Sequence, residues 1–324
     1  MTGWIVRRAV QAVVTFGVAM LLLFVLMRVA PGDPLSRLTG DRGVSAEELA
    51  VLRTRFSLDQ PMGRQLRAFL AGVAHGDLGV SIEHYPEPVT SLIATRLPAT
   101  LLLGGSVLLL NFTVGIWLGV RQAVRRGSRF DRWLSRLALA GYATPSFWLG
   151  LVLVALVSLR WRLLPAAQMT DPLLPLGAGP AARGLDLLRH LILPVLTLSA
   201  TSIALTMRHQ RAALLSVFRL DYVTAARARG LGERRVLWGH AWRTTLVPML
   251  TLLGLWLPIL VSGSVFVEAV FNWPGLGSLA AEAIAGRDYP VLLGAAMLVS
   301  GTVVLAGLLT DIAYLLVDPR VRPT

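Results

Sequence analysis

The sequence predicts an all-α, polytopic membrane protein with six transmembrane helices, and three observations predict it. Of 324 residues, 55% are hydrophobic and only 15% are charged, against about 25% charged in an ordinary soluble domain. Six stretches contain no Asp, Glu, Lys or Arg: 9–27, 97–120, 137–159, 190–207, 244–267 and 289–310. They run 19, 24, 23, 18, 24 and 22 residues, and about 20 predominantly apolar residues cross a bilayer core of about 30 Å as a helix. The third observation is an uneven spread of Arg over the segments between them. Helices buried in a soluble core would alternate apolar and polar faces; these runs do not.

Arg placement orients the chain. Every basic residue is Arg, and with the N-terminus in the cytoplasm the segments 1–8, 121–136, 208–243 and 311–324 hold 18 of the 31. The opposite arrangement would place 13 inside, six of them in the long 30–95 segment, where charge has little influence on orientation. Both termini are therefore expected inside. The formal charge of +13 lies in short loops after membrane spans and accompanies no nucleic-acid-binding motif. Arg7 and Arg8 precede an apolar run longer than a typical signal-peptide core, and Pro31 stands where small residues would suit cleavage, so the first span is expected to be retained. There is no Cys, which removes disulfides, thiol chemistry and Cys-ligated metal.

Residues 1–29 form the N-terminus and first span. An extracytoplasmic insertion, 30–95, follows and opens on the turn Pro31–Pro34. Ser45 and Glu48 form a capping-box pattern ahead of a face of Leu49, Leu52 and Phe56, and Leu66, Phe69, Leu70 and Val73 repeat at helical spacing. These short amphipathic helices are too little for an independent core; as a cap on the outer helix ends or as a docking surface, both roles remain open. Residues 96–311 hold the five remaining spans and the inside loop 208–243, and 312–324 form a cytoplasmic tail. Segment 160–189 is Pro- and Gly-rich and reads as an outer loop. In 268–288 the stretch Trp273–Gly277 cannot continue a helix, and its apolar flanks predict a dip back toward the bundle. No inverted repeat of the secondary-transporter kind is present.

The chemistry of an enzyme is missing. His75, His84, His190, His209 and His240 are each read as lacking a carboxylate or second His at ligand spacing. Without Lys no Walker-type phosphate loop is possible. Ion-coupled carriers place ionisable groups within spans, whereas here only Asn111, Thr113, Thr197, Ser199, Ser202, Ser262 and Ser264 interrupt the runs, and cross-helix hydrogen bonding is their expected role. A channel or ion-coupled carrier is the alternative reading, and charge in the spans is what it would require. A structural or receptor protein is a further rival, and would tolerate replacement of any loop helix.

The informative segment is the inside loop, "DYVTAARARGLGERRVLWGHAWRTTLVP", Asp221 to Pro248. Asp221 is placed to cap a short helix and Gly230 to stop it in a left-handed turn. Tyr222, Ala225, Ala226 and Arg229 fall at i, i+3, i+4 and i+7 on one face, with Ala allowing close approach of a partner's backbone. So short a helix is marginal alone in water. A second helix starts near Gly232 and climbs into the fifth span, with Pro248 expected to kink it. Attraction of Arg to anionic lipid explains the charge but not the small face, the Gly break or the Pro.

This loop resembles the EAA loop of the membrane subunits of ABC importers, in the form used by the peptide/nickel branch. "RRAVQAVVTFGVAMLLLFVLMRVAPGDP", "HGDLGVSI", "RLPATLLL", "ATPSFWLG", "RHLILPVLTL", "VFVEAVFNWPGLGSL", "RDYP" and "LVDPRVR" are also similar to that branch, in its order, so the likeness covers essentially the whole chain. Thr224 stands where the general pattern has Glu, Gly232 replaces a frequent Ser, and Thr244 a frequent Asn. The resemblance implies a type I importer permease fold and a coupling helix seated in a cytoplasmic ATPase, carried here by Asp221, Tyr222, Ala225, Ala226, Arg229 and Gly230. It implies a binding protein docking at the outer mouth, near Asp33, Asp77, Trp273, Gly275 and Gly277. It further implies a second, related permease subunit, two ATPase subunits that hold ATP and Mg, no cofactor or metal in this chain, a bacterial or archaeal cytoplasmic membrane, and short peptides or nickel complexes as solute.

Overall fold

The computed structural model describes residues 2–29, 35, 46–56, 59–175, 177–262 and 265–317, and every named element among them is helical. The first apolar run lies within α1, Thr2–Val29. Two short helices follow, α2 (Ala46–Arg55) and α3 (Met62–Ala74). Pro61 sets the extended backbone that starts α3, and Gly76, at φ +75°, ends it in a left-handed turn. The segment 46–88 packs on α1 through Phe69, which stacks on Phe24 at 5.7 Å, and is braced within itself where Phe56 meets Tyr85 edge-on. Asp33, Ser45 and the turn 31–34 lie outside the described residues, as do the side chains of Glu48, Leu49 and Leu52.

The second run becomes a continuous helix of 36 residues, α4 (Val89–Leu110) passing through a π-helical turn, Asn111–Gly115, into α5 (Ile116–Val124). It begins at Val89, inside the stretch assigned to the outer insertion, because Pro88 supplies an extended residue that starts the helix and Arg96 is accommodated opposite Glu282 at 3.8 Å. The third run is not one straight span. Helix α6 (Arg129–Ala143) and the pair α7 (Ser146–Leu153) with its π continuation Val154–Arg160 meet at 101°. Pro145 forces the break: it lacks an N–H and pushes Thr144 out of the helical region, to φ −85°, ψ 123°.

The fourth run sits in α8, Pro180–Val217, whose 38 residues begin within the expected outer loop, with Pro180 suited to the first helical position. Helix α9 is Asp221–Ala228. A one-turn helix, α10 (Glu233–Arg235), leads through a π stretch, Val236–Ala241, into α11, Trp242–Ser262. The helix runs on through Pro248; the irregularity at its start is the π stretch upstream. Helices α12 (Val265–Val270), α13 (Leu276–Gly286) and α14 (Tyr289–Val317) complete the described elements.

Among the described residues four helices are long and apolar enough to cross a membrane, or five if the bent α6–α7 pair counts as one. Helix α8 is the axis: 61% of its apolar window is buried in the chain itself, against 11–22% for the other three. It packs against α4, α5, α6, α7 and α11, while α14 lies along α11 and α1. Gly119 makes the α5–α8 crossing possible, since a Cβ there would stand 2.6 Å from the Met207 carbonyl. Arg8 of α1 pairs with Asp311 of α14, so the helical ends near the two termini lie on the same side. Asp131 of α6, capped by Ser128, receives both Nε and Nη2 of Arg211 at 3.0 Å, which ties α6 to α8.

Two expectations for polar groups need correction. Thr113, Thr197 and Ser202 bond to carbonyls of their own helices, and the Asn111 and Ser199 side chains have no hydrogen-bond partner among the described residues. Cross-helix bonds fall to other residues, among them Gln210 to Thr245 at 3.2 Å and Thr251 to Tyr314. The side chains of Ser262 and Ser264 lie outside the described residues. His190 does have a carboxylate neighbour, Asp186 one helical turn earlier, with Oδ1 at 3.2 Å from Nδ1.

Candidate functional site

The loop 208–243 is built so that one small-faced helix stands out from the end of the most buried long helix. Helix α9 starts at Asp221, preceded by Leu220 in extended conformation with no side-chain cap. Asp221 is thus the first helical residue, and its carboxylate acts at the positive helix end instead of capping it. The far end closes as the sequence predicts. Gly230, at φ +77°, donates to the Arg227 carbonyl at 2.9 Å, and Leu231 donates to the Ala226 carbonyl at 3.3 Å. This is the paired bonding of a Schellman motif, and Leu231 returns to the apolar cluster beneath. Gly232 then starts α10 in extended conformation, its carbonyl accepting from Arg235 and Val236.

At about 100° per residue, Val223 and Ala226 share one side of α9. Both are buried, at 0% and 5% exposure, against Val120, Leu214, Val236 and Ala241. Ala226 therefore faces the chain's own core, which corrects its placement on an outward face with Tyr222, Ala225 and Arg229. The opposite side carries Asp221, Thr224, Ala225 and Ala228, all exposed. Tyr222 and Arg229 flank it, the Tyr222 hydroxyl bonded to Thr244 Oγ1 at 2.7 Å. On the other flank Arg227 grips both carboxylate oxygens of Glu233, at 2.8 and 3.1 Å. The helix is thereby clamped to α11 and to the turn after it. Sequence reasoning passed over Val223 and Ala228; the signal was Val223, the sole large aliphatic residue in the helix, whose direction defines the inner side.

The outer residues gather differently. Asp77 is exposed beyond α3, with Oδ1 accepting from Gly79 at 2.8 Å. Trp273, Gly275 and Gly277 are buried, so they shape this end of the bundle from beneath and present no exposed side chain. The Trp273 indole N–H donates to the Ala99 carbonyl at 2.9 Å. The two glycines surround Glu268, a fully buried carboxylate. It accepts from the Ser278 N–H at 2.9 Å and from the Thr100 hydroxyl at 3.3 Å, and Thr100 in turn accepts from the Leu276 N–H at 2.7 Å. A Cβ on Gly277 would stand 2.9 Å from the Glu268 carboxylate, and one on Gly275 would come closer still. The broken stretch Trp273–Gly277 is thus folded around a buried acidic side chain, with Glu268 at the N-terminus of α13. Reading charge-free runs missed Glu268 because the fifth run, by definition, stops one residue before it.

A helical bundle with an exposed, clamped loop helix at the foot of its central span defines a class, the polytopic membrane components of transport systems. Residues 111–323 match the family model "Binding-protein-dependent transport system inner membrane component", and residues 1–104 match that of its N-terminal region. The chain belongs to this family of permease components. It is 37% identical over 337 aligned residues to the dipeptide transport system permease protein DppB of Escherichia coli K12, covering 99% of both chains. It is 38% identical to a di/tripeptide transport system permease protein of Pseudomonas aeruginosa, covering 99% of both. The oligopeptide transport system permease protein AppB of Bacillus subtilis is 35% identical, with 99% of this chain and 100% of the relative covered.

Proposed function

We propose that this chain is one of two pore-forming subunits of an ATP-driven ABC importer that moves short peptides across a bacterial cytoplasmic membrane. The peptide substrate is supported by relatives named for dipeptide, di/tripeptide and oligopeptide transport. In this reading α11 is the sixth span, beside α1, α4–α5, the bent α6–α7 pair, α8 and α14, in a type I fold with both termini inside. A related second permease subunit completes the pathway, two ATPase subunits supply the work, and a binding protein delivers solute near Asp77 and the hairpin after α12.

The observation that carries this reading is the surface of α9. Its outward residues are small or short, its inner side is locked to α5, α8 and the π stretch, and it follows directly from the central helix. Closure of two ATPases against that surface would be passed to α8 and α11 as rigid levers. The test is reconstitution with the ATPases, the second permease subunit and the binding protein. Gly230→Val should leave membrane insertion and ATP hydrolysis in place while uptake is lost. The chain alone in liposomes should move no peptide; transport without the ATPases would overturn the assignment.

A further inference from the structure

The cytosol-side junction carries a second feature that transport coupling does not use. A groove of about 690 Å³ runs between α5 and the start of α11, walled by Trp117, Trp238 and Trp242. Trp117 and Trp238 are 51% and 47% exposed, although they are the largest apolar side chains. Arg121 lies over the Trp117 ring at 4.3 Å, and Arg125 joins the rim. Among the described residues no acid lines the groove. Across the ridge of Val124 and Leu237 lies a second cavity of about 540 Å³, which adds Arg126, Arg219 and Arg234. Its one acid, Glu233, is already engaged by Arg227.

We propose that this junction binds an anionic phospholipid, with its acyl chain in the Trp-walled groove and its phosphate at the Arg rim. Both halves of the ligand are matched: an apolar channel for a chain, continuous with cations that nothing on the same surface neutralises. Trp belongs at the headgroup level of a bilayer, and cationic pockets between helices hold anionic headgroups. A second copy of this chain fits poorly, since it would bring the same unneutralised Arg rim, on a chain of formal net charge +13, against the first. The site needs only that the chain sit in a bilayer, so it goes beyond the transport reading and does not rest on it. Because the π stretch Val236–Ala241 supplies Leu237 and Trp238 to it, bound lipid would stiffen the turn that holds α9.

The full chain is purified from vesicles of phosphatidylethanolamine with or without phosphatidylglycerol, and retained lipid is read by native mass spectrometry. Phosphatidylglycerol should be retained preferentially. R121Q/R125Q/R126Q should weaken that retention about fivefold for each Arg removed, while R121K/R125K/R126K keeps most of it. On the unaltered chain, phosphatidylglycerol with brominated acyl chains should quench Trp fluorescence more than its phosphatidylethanolamine counterpart, and W117F/W238F/W242F should remove that excess. Equal retention of the two lipids, or an unchanged excess in the Trp variant, would overturn the proposal. So would cross-linking of W238C to a second membrane subunit, which would mean that protein fills the groove.

Discussion

Gly230 and Glu268 are single residues on which whole connections rest. At φ +77° a β-branched side chain at position 230 meets the following carbonyl, a penalty of about 1–2 kcal/mol. Gly230→Val should therefore reshape the end of α9 even though open space surrounds it, and the ratio of uptake to ATP hydrolysis is the sensitive readout. Glu268 works by acceptance. Glu268→Ala would leave the Ser278 N–H and the Thr100 hydroxyl without their acceptor, at about 1–3 kcal/mol for a buried donor left unmade. Glu268→Gln keeps one acceptor oxygen and should lose less. Melting temperatures of the detergent-solubilised protein order the three as wild type, Gln, Ala; an Ala variant melting with wild type would show that the carboxylate is not what holds the hairpin.

Among elements, α9 is the clearest case of a helix that exists because of what lies beneath it. At eight residues it could not persist alone in water. Val223 and Ala226 anchor it, and the Schellman turn, the Tyr222–Thr244 bond and the Arg227–Glu233 pair fix its ends. Val223→Ala deletes two buried carbon groups, about 1.6 kcal/mol at about 0.8 kcal/mol each. The expected result is faster proteolysis within 218–236, with total helicity unchanged. Equal cleavage rates in the two proteins would mean that the clamps alone suffice. The bend at Pro145 is the opposite kind of element feature, set by one residue's missing N–H and independent of neighbours.

At the scale of the molecule, the Arg8–Asp311 pair joins the first and last long helices, which are far apart in sequence and side by side in space. Arg8 is 41% exposed, so the pair contributes little by itself, about 0.2–1 kcal/mol as exposed pairs do. A charge reversal at one partner should still repel. Asp311→Arg should lower the melting temperature, and combining it with Arg8→Asp should restore it. If the double variant is no more stable than the single, the ends are held by apolar packing alone.

Much of the architecture was legible because bilayer physics writes itself into composition. The charge-free runs fell on helical stretches, since a charge inside lipid is expensive, and among the described residues four helices, or five with the bent pair, are long and apolar enough to cross a membrane; Gly230 and Gly232 marked a helix stop and start, since backbone conformation there is a local matter; and the loop's likeness to a known family identified the class. The 101° bend was equally local, at Pro145, but a count of apolar residues does not register direction. What only the tertiary structure decided is which side of each element faces in. Ala226 and Ala225 are adjacent and chemically identical, yet one is core and the other surface, because Val120, Leu214 and Val236 arrive from other parts of the chain. Glu268 shows the same divide: composition places it at the edge of a span, and only the folded chain turns Thr100 and the Ser278 N–H onto it and reserves Gly275 and Gly277 for its approach.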